Sequence, residues 1–149
     1  MNKTILFLPA MLFITSLQAQ QKAGSQQEDI HQTVINMFDA LSNRDSAALK
    51  THCTADISLY EYGQIWNMDS LILKAITQNQ STGFKRTNRF EFIRTLIDKK
   101  TGWVTYRLES VIIKEGIPIS LQWLETVGLV KERKKWKVKH LHSTLIKRS

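Results

Sequence analysis

The sequence predicts a single α+β domain in which three helices pack on the concave face of a curved antiparallel sheet. Two observations predict it. From residue 29, apolar side chains return at helical spacing: Ile30, Val34, Phe38 and Leu41, with Met37 beside them. From residue 87 to 146 the chain instead alternates apolar and polar residues in four long runs separated by short turn segments. Helices first and hairpin-linked strands afterwards define the class.

The chain has 149 residues, enough for one domain with a core that needs no metal or disulfide staple. At 42% hydrophobic and 23% charged it has an ordinary globular composition. Residues 1–19 differ from the rest. Lys3 supplies a positive start, Ile5 to Leu17 is mostly apolar, and Leu17-Gln18-Ala19 offers a small residue before Gln20. That layout is expected of a cleavable export signal, leaving no stable membrane anchor and a secreted or periplasmic protein. The alternative is an N-terminal membrane helix that stays in place.

The net charge of +8 gathers late, at Lys131, Arg133, Lys134, Lys135, Lys137 and Lys139. Lys137 and Lys139 alternate with Trp136 and Val138, as the solvent side of a half-buried strand does. Together with export, this argues against a nucleic-acid partner. Cys53 is the one cysteine, so no internal disulfide can form. It reads as a buried small hydrophobe, and a thiolate activated by His52 is the alternative.

The elements follow in order. The Gln-rich residues 20–28 are expected to be a disordered lead-in. A helix runs from Asp29 to Asn43, and Asp45 caps a short second one through Leu49. Ile57 to Trp66 is a strand with a turn or bulge at Gly63. Asn67 or Asp69 starts a third helix carrying Leu71, Ile72, Ala75 and Ile76. Strands are then expected at Thr87 to Asp98, Trp103 to Lys114, Ile119 to Val130 and Trp136 to Ile146. The usual strand length is about five or six residues, so strands this long must curl. A curled sheet closed by helices forms a cone with a pocket at its open end.

Three stretches resemble the nuclear transport factor 2-like superfamily, especially its SnoaL-like branch. They are Ala40-Leu41-Ser42-Asn43-Arg44-Asp45-Ser46-Ala47-Ala48-Leu49, then Tyr60-Glu61-Tyr62-Gly63-Gln64-Ile65-Trp66, then Glu125-Thr126 with Trp136-Lys137-Val138-Lys139-His140-Leu141-His142-Ser143. The last also resembles the end of the association domain of calcium/calmodulin-dependent protein kinase II. The resemblance implies a cone-shaped α+β barrel, commonly a homodimer through its sheet. It implies no single chemistry, because the superfamily holds isomerases, dehydratases, cyclases and binding modules.

Strand alternation puts His140 and His142 on one face with Trp136 and Val138, and hence toward the pocket. The pocket expected from these patterns is lined by Tyr60, Tyr62, Trp66, Tyr106, Trp123, His140 and His142. His142 and Glu61 are the candidate general bases. The resemblance to the ketosteroid isomerase branch suggests the base role for Glu61. That branch, however, adds a Tyr on the first helix and a protonated Asp in the sheet, and no counterpart of either is evident here. No metal set, Gly-rich phosphate loop or cofactor motif is expected. The sequence thus points to an exported domain that binds a small apolar or amphipathic ligand or serves assembly. An isomerase, dehydratase or hydrolase using His142 or Glu61 is the alternative.

Overall fold

A computed structural model describes residues 11–149, with side chains from Gly24 onward. Residues 1–10, including the Lys3 end of the expected export signal, lie outside the described residues. Helix α1 spans Met11–Ser42 without interruption. Residues 20–28, expected as an irregular lead-in, thus continue the helix. Their Gln, Lys and Ala are good helix formers, and only Gly24 weakens the run. No helix among the described residues is long and apolar enough to cross a membrane.

The helix breaks at Arg44, which has φ 56°. Asp45 then accepts a hydrogen bond from the Ala48 N–H at 2.9 Å and caps α2, Ser46–His52. Strand β1, Cys53–Glu61, turns through Tyr62 and Gly63, both at positive φ, into the short β2, Gln64–Trp66. Asn67 caps α3, Met68–Leu71, which continues as a π-turn over Ile72–Ile76 and a 3₁₀ turn over Thr77–Asn79. The meander follows as expected: β3 Lys85–Asp98, β4 Thr101–Lys114, β5 Ile117–Glu132 and β6 Lys135–Arg148. Left-handed residues at Lys99, Glu115-Gly116 and Arg133-Lys134 make its turns tight.

The sheet has the order β2-β1-β6-β5-β4-β3. It is mixed, and not purely antiparallel, because β1 lies parallel to β6 with Leu59 opposite Leu141. The helices between β1 and the meander allow that parallel return. Ladder irregularities between Phe92 and Arg94, Gln122 and Trp123, and Gly128 and Leu129 let strands of this length curl. The concave face packs Val104, Tyr106, Leu108, Trp123, Val127, Leu129, Trp136, Val138 and Leu141 against Ile30, Val34, Met37, Phe38 and Leu41 of α1. Cys53 is buried and unpaired, with its thiol pKa pushed up to about 12 by burial, which favours the neutral thiol over a thiolate beside His52.

The last strand departs from strict alternation. Gly128 faces His140 while Leu129 faces Val138, so Lys139 is an extra residue on β6. One extra residue inverts the facing of everything beyond it. Trp136 and Val138 therefore point into the core, Leu141 and Ser143 follow them inward, and His140 and His142 turn to the convex surface.

Candidate functional site

A cavity of about 180 Å³ opens between α1, the α3 segment and the wide end of the cone. Its walls are apolar: Phe38, Leu59, Trp66, Leu71, Trp123 and Leu141 are among them. Its polar groups are Glu61, Arg86, Glu125 and Ser143, with Lys74 and Tyr62 toward the mouth. Lys74 Nζ sits 5.0 Å from the centre of the Trp66 ring, and Tyr62 meets Trp123 edge-on at 5.3 Å.

The meander register assembles the floor. Tyr106 pairs with Glu125, and Glu125 pairs with Ser143, so one residue from each of β4, β5 and β6 stands in a row on the concave face. Ser143 Oγ donates to Glu125 Oε1 at 2.8 Å. Glu125 is 4% exposed, and burial lifts its carboxyl pKa to about 7. The Tyr106 phenol and the Ser143 hydroxyl oppose that rise, Glu61 adds to it, and Arg86 opposes it. Tyr106 Oη and Glu125 Oε2 are both buried and complete no hydrogen bond of full geometry. Burial and the adjacent Glu125 carboxyl hold the phenol well above its usual range.

Arg86 is the second residue of β3 and is held from behind. Its Nε donates to Asn88 Oδ1 at 3.0 Å and its Nη2 to Ser110 Oγ at 3.3 Å. Ser110 Oγ in turn donates to Asn88 Oδ1 at 2.7 Å, and Asn88 Nδ2 donates to Ser42 Oγ on α1 at 2.9 Å. The guanidinium carbon lies 5.3 Å from the centre of the Phe38 ring. Glu61 faces the same cavity from the end of β1. Burial raises its pKa, and the charge of Arg86 pulls it back.

Of the seven residues expected to line the pocket, Tyr62, Trp66 and Trp123 do so. Tyr106 is fully buried beneath the floor, beside Glu125. Tyr60, His140 and His142 do not line this cavity, because β1 and β6 turn them to the convex face. There the Tyr60 ring lies 5.1 Å from that of His140 and 6.3 Å from that of His142, and His140 Nδ1 is 3.2 Å from Ser58 Oγ. Of the two candidate bases, Glu61 reaches the cavity and His142 does not.

Arg86, Glu125 and Ser143 were not among the expected site residues. Each nevertheless carries a signal, being a polar residue on the apolar phase of its strand: Arg86 before Asn88, Phe90 and Phe92, and Glu125 between Trp123 and Val127. For Ser143 the signal is indirect, since Leu141 follows Val138 after three residues and marks a change of phase. Among the described residues, no cluster of three or more His, Cys, Asp or Glu is placed to hold a metal ion.

The fold recurs in solved structures. A nuclear transport factor 2-like protein from Cytophaga hutchinsonii superposes with a TM-score of 0.66 at 14% identity, covering 81% of this chain and 98% of that one. A ketosteroid isomerase-like protein from Erwinia carotovora atroseptica gives 0.61 at 18% identity, covering 79% and 94%. The association domain of the C. elegans calcium/calmodulin-dependent kinase II gives 0.63 at 16% identity, covering 81% and 96%. At these identities the likeness is one of fold. No curated protein matches the chain in sequence. A family model for the SnoaL-like domain matches residues 30–146, from Ile30 of α1 to Ile146 of β6, and the chain belongs to that family within the nuclear transport factor 2-like superfamily.

Proposed function

We propose that the domain holds a small amphipathic ligand inside the cone, with its apolar body against Trp66, Trp123 and Leu141 and its polar end on the Arg86–Glu125–Ser143 floor. The observation that carries this reading is a cavity of about 180 Å³ with apolar walls and a few convergent polar groups at one end. A dry cavity of about 150 Å³ accommodates benzene. The size therefore suits one ring or a short chain plus a polar head. Because Trp66 and Trp123 form the wall, occupancy should change tryptophan emission. A set of small alcohols, amides and acids that alters neither emission nor melting temperature at millimolar concentration would defeat the reading.

A second reading, acid–base catalysis, is favoured by one specific observation. Two carboxyls, Glu61 and Glu125, share the cavity, and burial raises the pKa of both. Glu61 would remove a proton and protonated Glu125 would donate a hydrogen bond to the developing oxyanion. Deuterium exchange beside the carbonyl of a small ketone, catalysed by the wild type and lost in Glu61→Gln, is the expected result. Exchange equal to the buffer rate removes this reading and leaves the first intact.

The reading also includes export and pairing of two copies. Export rests on Lys3, the Ile5 to Leu17 stretch and Ala19, and predicts a mature chain beginning at Gln20. Pairing rests on the exposed apolar residues of the convex face, Leu96, Trp103 and Leu124 among them. Light scattering giving a monomer at all concentrations would end it.

A further inference from the structure

Arg86 is the unusual group in this cavity. A guanidinium carries five N–H donors. Asn88 and Ser110 take one each, and the other three have no protein acceptor among the described residues. Neither Glu61 nor Glu125 comes within 4.0 Å of it, since the four ion pairs among the described residues all lie elsewhere on the surface: Arg89–Glu109, Arg107–Glu91, Lys137–Glu132 and Lys139–Asp56. Removing a cation from water without a contacting anion is costly. Arg86 is half-buried and lines that cavity. A network of five hydrogen bonds running back to Phe38 O through Asn88, Ser110 and Ser42 fixes its orientation before any ligand arrives.

We propose that the ligand is a small organic carboxylate, docked by its two oxygens on the free edge of Arg86, with an apolar tail against Trp66, Trp123 and Leu59. This rests on the reading of the cavity as a ligand site and names the chemistry of its ligand. A carboxylate supplies two acceptor oxygens in one plane, which matches the guanidinium fork. A short-chain or single-ring acid fits the volume, and a phosphate would leave the apolar wall uncovered. Glu125 does not compete strongly for Arg86, because Ser143 engages one of its oxygens and burial favours its neutral form. Lys74 at the mouth adds a second positive charge along the entry path. Glu61 is the opposing group, and its carboxylate weakens the site for anions.

The test uses the purified protein and two matched series, hexanoate with hexanamide and hexanol, and phenylacetate with its amide and alcohol, each titrated by tryptophan emission and by calorimetry. The expected result is that one or both acids bind roughly tenfold to a hundredfold more tightly than their neutral partners, the usual strength of a charge-assisted hydrogen bond. Glu61→Gln is expected to tighten acid binding and leave alcohol binding unchanged, and Arg86→Gln to abolish the preference. The acid–amide comparison on the wild type stands even if the Arg86 variant does not fold. Alcohols and amides binding as well as the acids would overturn the carboxylate assignment while sparing the ligand site. Weaker acid binding in Glu61→Gln would also overturn it. No binding by either series would overturn both.

Discussion

Ser143 Oγ on β6 donates to Glu125 Oε1 on β5 at 2.8 Å, directly across the strand pair and beneath the cavity. Glu125 is thus a buried acid with one oxygen held and the other without a full hydrogen bond. Burial lifts its carboxyl pKa from 4.5 to about 7.

This shift sets a pH dependence. The folded state keeps the proton that the unfolded chain releases near pH 4.5, so stability falls as pH rises from 4.5 to about 7 and is flat beyond. Over that window Glu125 removes about 3 kcal/mol. Urea unfolding of Glu125→Gln at pH 5 and pH 8 is expected to show a smaller loss than the wild type by an amount of this order. Parallel curves for the two proteins would mean that Glu125 is not buried as described.

Deleting Lys139 is expected to be mild, changing the free energy of urea unfolding by no more than about 1 kcal/mol, because it removes the extra residue and leaves Leu141 two positions after Val138, on the same inward face. Lys139→Ala keeps the residue count, loses only the exposed contact with Asp56, and should leave the unfolding midpoint nearly unchanged.

His142 stands exposed beyond that same irregularity. His142→Ala is expected to change stability by no more than about 0.5 kcal/mol and to leave ligand titrations at Trp66 and Trp123 unaltered. A lost binding signal in this variant would place the ligand on the convex face.

Gly102 is buried where α1 meets β4, and a Cβ there would lie 2.8 Å from Ile30 Cδ1. Gly102→Ala should therefore cost about 1–3 kcal/mol through overpacking. Ile30→Val removes the Cδ1 atom, so the double variant is expected to be more stable than the sum of the single effects, measured as a double-mutant cycle.

Cys53 provides a check on burial near α2. With its thiol pKa near 12, native protein at pH 8 should resist thiol reagents, and denatured protein should react at once. Rapid labelling of the native protein would show that the junction of α2 and β1 opens.

The meander was legible because its signals are local. Period-two alternation and left-handed turn residues place all four strands within two residues of their observed ends, and Asp45 and Asn67 mark helix starts by their side-chain chemistry. The facing of β6 beyond Lys139 was not, because strict alternation carried from Trp136 and Val138 assumes a regular ladder. The irregularity depends on Gly128 in a neighbouring strand, so it belongs to the pairing and not to β6 alone. The parallel β1–β6 pair and the meeting of Glu61, Arg86 and Glu125 were equally out of reach, since both need residues distant in sequence to be brought together. Tyr60 illustrates the difference: its aromatic character is visible in the sequence, and its side of the sheet is not.

Gly128 also bears on how the chain finds its structure. The Trp103 ring lies 3.4 Å from where a Cβ would stand at Gly128, and His140 Cβ lies 3.5 Å from it, so the bare backbone is covered from two sides. Long strands such as β5 and β6 can slide past one another by two residues and still match inside to inside. Here a slide would carry a side chain under Trp103 and move the extra residue away from the glycine that accommodates it. The single glycine thereby acts as an index mark for the ladder, and mispaired forms of the meander are penalised at one point that the correct pairing leaves free.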